Sequence, residues 1–139
     1  MVPQARRLFQ WIRQANRLSW LHTCGKMNRL IFDGAYDRDQ MGVDVLESFS
    51  GPPLGDVENL RAARARVGNG ITTRGGINVG ELFSDTAAQI RARARYVLDS
   101  TTGFRHMIGD TDCQFPGTPV ENLRAVVETV REYGRAFRG

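Results

Sequence analysis

Apolar residues gather along this chain in short extended runs. Each run ends in polar or glycine residues and is followed by a stretch with helical spacing. The runs are Leu18–His22, Val43–Glu47, Ile71–Arg74 and Phe104–Ile108. Their starts lie 25, 28 and 33 residues apart, which suits βα units of about 30 residues. The pattern predicts four parallel strands.

The segments between the runs read as helices. Residues 3–15 place Ala5, Leu8, Phe9 and Ile12 on one face, at the i, i+3, i+4, i+7 spacing of an amphipathic helix. Residues 54–67 carry Leu54, Val57, Leu60 and Val67 ahead of Gly68, a suitable C′ glycine. Residues 85–99 carry Ala87, Ile90, Ala94, Val97 and Leu98. Thr118-Pro119-Val120-Glu121 reads as a capping box with proline at the first helical position. Val120, Leu123, Val127 and Val130 then form the expected buried stripe. Segment 26–40 is less periodic and is also read as helix.

Strands alternating with helices imply an α/β fold with a parallel sheet. Two architectures fit: an open doubly wound sheet, or four units of a (β/α)8 TIM barrel. No glycine-rich phosphate loop follows the first strand, which argues against a nucleotide-binding open sheet. Gly75-Gly76, after the third run, is read as a tight turn.

Composition narrows the class. The 139 residues, with 41% hydrophobic and 24% charged positions, describe one globular domain rather than a disordered tail, a collagen-like chain or a disulfide scaffold. No run approaches the ~18 apolar residues of a membrane span. The N-terminal MVPQARRLFQWIRQ lacks a secretory pattern. Two cysteines, Cys24 and Cys113, suit a reducing cytoplasm, although one disulfide remains open. The net charge of +4 comes from 18 Arg and one Lys against 15 acids. Residues 33–60 hold seven of those acids and only Arg38. No basic stripe is interleaved with aromatics, so the arginines read as solvated helix faces. Neither nucleic acid nor membrane is an expected partner.

In both architectures, sites form where parallel strands end. Those ends bring His22, Thr23, Cys24 and Gly25 together with Glu47, Ser48, Arg74, Asn78, Asp110, Asp112 and Cys113. On an extended strand residues i and i+2 point the same way, so His22 and Cys24 can approach one ion. With Cys113 as a third ligand, two thiolates and an imidazole suit Zn²⁺ and leave a fourth position open. Glu47 or Asp112 can be an exchangeable fourth ligand. The plainer alternative makes the cysteines small buried hydrophobes. Glu47 and Arg74 are the candidate catalytic residues, the alternatives being a cap or a rim salt bridge. His106 reads as a packed, hydrogen-bonded histidine. Asp110 and Asp112 can also simply shape the loop before Pro116.

Several segments, taken in order, carry a family resemblance: Leu21-His22-Thr23-Cys24-Gly25, Gly42-Val43-Asp44-Val45-Leu46-Glu47, Arg74-Gly75-Gly76-Ile77-Asn78 and Thr118-Pro119-Val120-Glu121-Asn122-Leu123-Arg124-Ala125, with the ending Val130–Gly134. The set resembles the C-terminal half of the uroporphyrinogen decarboxylase superfamily, which includes the cobalamin-dependent methyltransferases. The resemblance implies a (β/α)8 barrel of which these four strands are the last four. It implies, for the methyltransferases, zinc bound by a His-x-Cys motif and a distant Cys, matched here by His22, Cys24 and Cys113. The decarboxylases use no metal and typically carry a histidine about where Cys113 lies. Their tetrapyrrole-binding arginines and aspartate lie in the first half of the barrel, which has no counterpart here.

Three readings follow. The first is a zinc-dependent methyltransferase that moves a methyl group from a methyl-corrinoid (methylcobalamin on a partner corrinoid protein) to a small thiol. The second is a tetrapyrrole carboxy-lyase of porphyrin biosynthesis, steered by Arg74 and Arg105. The third is a non-catalytic truncated or split barrel subunit. A full barrel needs about 250 residues, so residues 1–139 are expected to be a single half-barrel domain. Its outer strands, 18–22 and 104–108, would have free edges. The chain is therefore expected to self-associate, to pair with a separate N-terminal half, or to be a fragment.

Overall fold

A computed structural model describes residues 2–133; Met1 and residues 134–139, including Gly134 of the last resembling segment, lie outside the described residues. The elements run α1 (Val2–Gln14), β1 (Trp20–His22), α2 (Asn28–Phe32), β2 (Val45–Ser48), α3 (Leu60–Val67), β3 (Thr72–Ile77), α4 (Val79–Ser84), α5 (Ala87–Thr101), β4 (His106–Asp110) and α6 (Val120–Tyr133). The four strands are parallel and lie in chain order, β1-β2-β3-β4. Among the described residues β1 and β4 each have one strand neighbour.

One sheet face packs on the helices. Leu46 and Thr73 are buried there, joined by Leu60, Ala63 and Val67 of α3 and Ile90, Ala94 and Val97 of α5. The opposite face carries a row of register partners across all four strands: His22, Glu47, Arg74 and Met107. Trp20 and Met107 on that face are 52% and 39% exposed. A doubly wound sheet covers both faces. Leaving one face uncovered is the arrangement of four consecutive barrel units, whose inner side this is.

Several boundaries differ from the sequence reading, each for a local reason. The 26–40 helix is only Asn28–Phe32, because Gly34 turns left-handed at φ 83°. Asp56 caps its start from a distant loop, accepting from the backbone N–H groups of Met27 and Asn28 at 2.9 Å each. The 54–67 helix begins at Leu60, capped by Asn59, whose Oδ1 accepts from Ala62 N–H at 2.9 Å. Helix α4 was not expected. Asn78 and Glu81 build a capping box for it, and Thr86 and Gln89 build another for α5. Strand β4 sits two residues further on than the run Phe104–Ile108.

Gly75 and Gly76 are not a turn. They lie inside β3, where a Cβ on Gly75 would stand 1.9 Å from the Ser48 carbonyl oxygen and one on Gly76 would stand 2.9 Å from Val97. The backbones of β2 and β3 approach so closely that only glycine fits.

Helix α6 turns a different face inward from the expected one. Asn122, Ala125 and Thr129 are buried, while Val120 and Val127 are 49% and 47% exposed. The amide of Asn122 sets the rotation, donating to the carbonyls of Leu82 at 2.9 Å and Asp85 at 2.7 Å. Thr118 turns its hydroxyl back to the Phe115 carbonyl at 2.8 Å.

Candidate functional site

The strands end at one rim, and the chemistry converges there. His22, the last residue of β1, brings Nε2 to 2.9 Å from Cys24 Sγ. Cys24 in turn lies 3.7 Å from Asp112 Oδ2, and His22 Nε2 lies 3.8 Å from Asp112 Oδ1. One ligand atom from each of these three residues falls within 4.8 Å of the others. Asp112 reaches the trio from the loop after β4, at the far edge of the sheet.

The sheet register fixes what stands behind the histidine. His22 pairs with Glu47 and Glu47 pairs with Arg74. His22 Nδ1 is 3.4 Å from Glu47 Oε2. The same oxygen accepts from Trp20 Nε1 at 2.8 Å. Arg74 donates to Glu47 Oε1 and, from its other terminal nitrogen, to Asp110 Oδ1, with a further bond to the Asp110 carbonyl at 3.1 Å. Gly109 makes room for this: a Cβ there would meet the Arg74 guanidinium at 3.0 Å. Gln114 holds the other Asp110 oxygen at 3.1 Å. Thr23 ties the loop to β2 by donating to the Glu47 carbonyl at 3.1 Å.

Trp20, His22, Glu47, Arg74, Asp110, Asp112 and Cys113 line one open cavity of about 460 Å³. Of the residues predicted for catalysis and metal binding, His22, Glu47, Arg74 and Cys113 line it and Cys24 stands beside it against His22 and Asp112, while Ser48 is buried and Asn78 caps α4. Both cysteines are exposed rather than packed as buried hydrophobes. Cys113 lies beside the trio, its backbone N–H on Asp112 Oδ1 at 2.7 Å. The ligand atom that joins His22 and Cys24 here comes from Asp112, one residue earlier. No spacing rule separates Asp112 from Asp110 in the sequence; only the path of the loop does.

The electrostatics at Cys24 are one-sided. Desolvation first, then the charge and hydrogen bond of Asp112, and then Cys113 raise the thiol above its ordinary pKa. His106 is a packed residue as expected: Thr73 Oγ1 is 2.7 Å from its Nδ1, and burial, ahead of nearby Arg64, pushes it down to about 4.

The donor set passes the test of fit for zinc. Tetrahedral bonds of about 2.0–2.3 Å separate neighbouring ligand atoms by roughly 3.4–3.6 Å. The observed separations are 2.9, 3.7 and 3.8 Å. An imidazole, a thiolate and a carboxylate are all accepted zinc ligands.

A family model described as uroporphyrinogen decarboxylase (URO-D) matches residues 1–133. This chain belongs to the uroporphyrinogen decarboxylase family. The uroporphyrinogen decarboxylase of Paraburkholderia phytofirmans is 40% identical to this family member over 83 residues, 58% of this chain and 22% of that protein. That of Methylibium petroleiphilum is 35% identical over 85 residues, 58% and 23% of the two lengths. The chain thus spans less than a quarter of the curated relatives it matches. Among solved structures, a methyltransferase from Methanosarcina mazei superposes with a TM-score of 0.73 at 20% identity, over 94% of this chain and 35% of that one. At that identity the likeness shows the fold. This URO-D-family chain is four βα units of a half TIM barrel. No helix among its described residues is long and apolar enough to cross a membrane.

Proposed function

We propose that this chain carries the metal-bearing wall of a thiol methyltransferase site. In this reading a methyl group passes from a methyl-corrinoid on a partner protein to a small thiol. The observation that supports it is the convergence of His22, Cys24 and Asp112 within 4.8 Å at the strand ends. His22 and Cys24 supply two ligands; Asp112 or its neighbour Cys113 supplies the third. Zinc held there would supply the Lewis acidity that keeps an incoming thiol as its thiolate at neutral pH.

The chain's own residues prepare that chemistry. Glu47 faces His22 Nδ1, which favours the tautomer with its proton on Nδ1 and leaves Nε2 to the metal. Trp20 and Arg74 hold Glu47 in that position. Arg74 is fixed by Asp110 in turn.

Elemental analysis of protein purified without chelators tests the reading. Stoichiometric zinc is expected, lost in His22→Ala and Cys24→Ser. Comparing Asp112→Asn with Cys113→Ser identifies the third ligand. Metal-free wild type that also takes up no added zinc overturns the proposal.

The curated relatives' name favours a second reading, decarboxylation of a tetrapyrrole. It needs a cationic group for the carboxylates, and the arginine lining this wall is Arg74, which would have to exchange its bonds to Glu47 and Asp110 for them. Binding of a polycarboxylate porphyrin, weakened by Arg74→Ala, would support it. The free edges of β1 and β4 support assembly with a second chain, either another copy or an N-terminal barrel half. Sedimentation of the purified chain, alone and with such a half, reads this out directly.

A further inference from the structure

His22 and Cys24 stand at the end of β1, while Asp112 and Cys113 follow β4 at the other edge of the four-stranded sheet. A ligand set drawn from both edges needs the last loop held inwards. Strand pairing does not hold it, because the register between β3 and β4 ends at Asp110.

A side chain from the strand between does. Arg74 lies on β3, flanked by β2 and β4. One of its terminal nitrogens donates to Glu47 Oε1 on β2 and to the Asp110 carbonyl at 3.1 Å. The other donates to Asp110 Oδ1. The guanidinium thus grips both the backbone and the side chain of the residue from which the loop departs. Gln114 folds the loop back onto the remaining Asp110 oxygen at 3.1 Å. Between these two anchors, Asp112 accepts from Cys113 N–H at 2.7 Å. The side chains of Arg74, Glu47 and Asp110 are only 26%, 14% and 15% exposed. Water therefore competes weakly for these charge-assisted bonds.

We propose that Arg74 is the positioning residue for the third metal ligand. By holding Asp110 it aims loop 111–114 at His22 and Cys24, and through Glu47 it ties that loop to the orientation of His22. The two edges of the sheet then present one ligand set. The same anchor places Asp112 and Cys113, so it serves either as the third ligand. The metal rests on the reading above; the placement of the loop does not.

The loop is tested first, in the metal-free full chain, through exchange of the Cys113 amide with water, followed by nuclear magnetic resonance. The amide of Ala94, buried in α5, is the internal reference. Arg74→Met removes the clamp, and Arg74→Lys restores a cation between the two carboxylates. Gly109→Ala pushes the guanidinium aside without changing any charge, since a Cβ there would stand 3.0 Å from it. It replaces Arg74→Met if that variant does not fold. The ratio of Cys113 to Ala94 exchange is expected to rise about tenfold on loss of the clamp, as local opening becomes easier, and to return most of the way in Arg74→Lys. A ratio that does not rise overturns the proposal and leaves the packing of Thr111, 1% exposed, as what holds the loop.

Zinc affinity, by competition with a chromophoric chelator, then reads the coupling between the two edges. Arg74→Met and Asp110→Asn should each weaken it about tenfold, the lower end for groups that stand behind metal ligands. In the Arg74→Met background, Asp110→Asn should add less than about twofold, because the two residues act through one bond network. Effects that simply multiply would show Asp110 acting without Arg74 and overturn the coupling. A wild type that binds no zinc sinks the metal reading alone, and the exchange ratio still decides whether Arg74 places the loop.

Discussion

His22 and Glu47 are register partners on adjacent parallel strands, and Nδ1 of the first lies 3.4 Å from Oε2 of the second. The sheet itself, rather than a flexible loop, therefore orients the imidazole. Carboxylates in this outer position typically contribute 10–100-fold to metal affinity. Glu47→Gln should keep the fold and weaken zinc binding by about that factor in competition with a chromophoric chelator. Unchanged affinity would remove Glu47 from the site's supporting frame.

Gly75 should tolerate no side chain. Its φ of 131° is a glycine conformation, and a Cβ would collide with the Ser48 carbonyl. Ser48 is itself held at φ 109°, so neither strand has slack. Gly75→Ala should cost about 3 kcal/mol or more, measured by urea unfolding. A loss under about 1 kcal/mol would show that β2 and β3 can separate locally.

Asn122 ties α6 to α4 through two carbonyls. Asn122→Ala leaves both carbonyls without their side-chain donor, and buried polar groups in that state cost about 1–3 kcal/mol. A decrease of about 2 kcal/mol is expected. Amide exchange should rise first at the start of α6.

His106 makes stability depend on pH. Its folded pKa, about 4, lies below its ordinary value of 6.5. Between those values the unfolded chain binds the extra proton. This contribution is fully present above pH 6.5 and lost as pH falls towards 4, up to about 2 kcal/mol allowing for partial exposure. His106→Asn should flatten that segment of the stability profile. An unchanged slope would show that other groups set it.

The strands were legible because each packed run ends in the polar residues of the rim, so the order and spacing of all four units survive in the sequence. The i, i+2 relation of His22 and Cys24 was legible for the same reason. What the pattern hid depends on distant partners. Gly75-Gly76 looks like a turn until the Ser48 backbone is placed beside it. Asn122 and Thr129 look like surface residues, and Val127 like core, until the Leu82 and Asp85 carbonyls claim the Asn122 amide. Asp56 caps α2 from 28 residues away in the chain. The short helix α4 did leave a signal, Asn78 with Glu81 three residues on, in a stretch whose apolar periodicity is too brief to notice.

Trp20 gives the site a voice of its own. Its indole N–H rests on the carboxylate that steadies His22, and its ring is half in solvent. Anything that pulls on Glu47, whether an ion arriving at His22 or a ligand displacing Arg74, changes the polarity and hydrogen bonding of that indole. With Trp11→Phe removing the chain's other tryptophan, emission from a single ring becomes an intrinsic fluorescence gauge of occupancy, readable in a cuvette without any label.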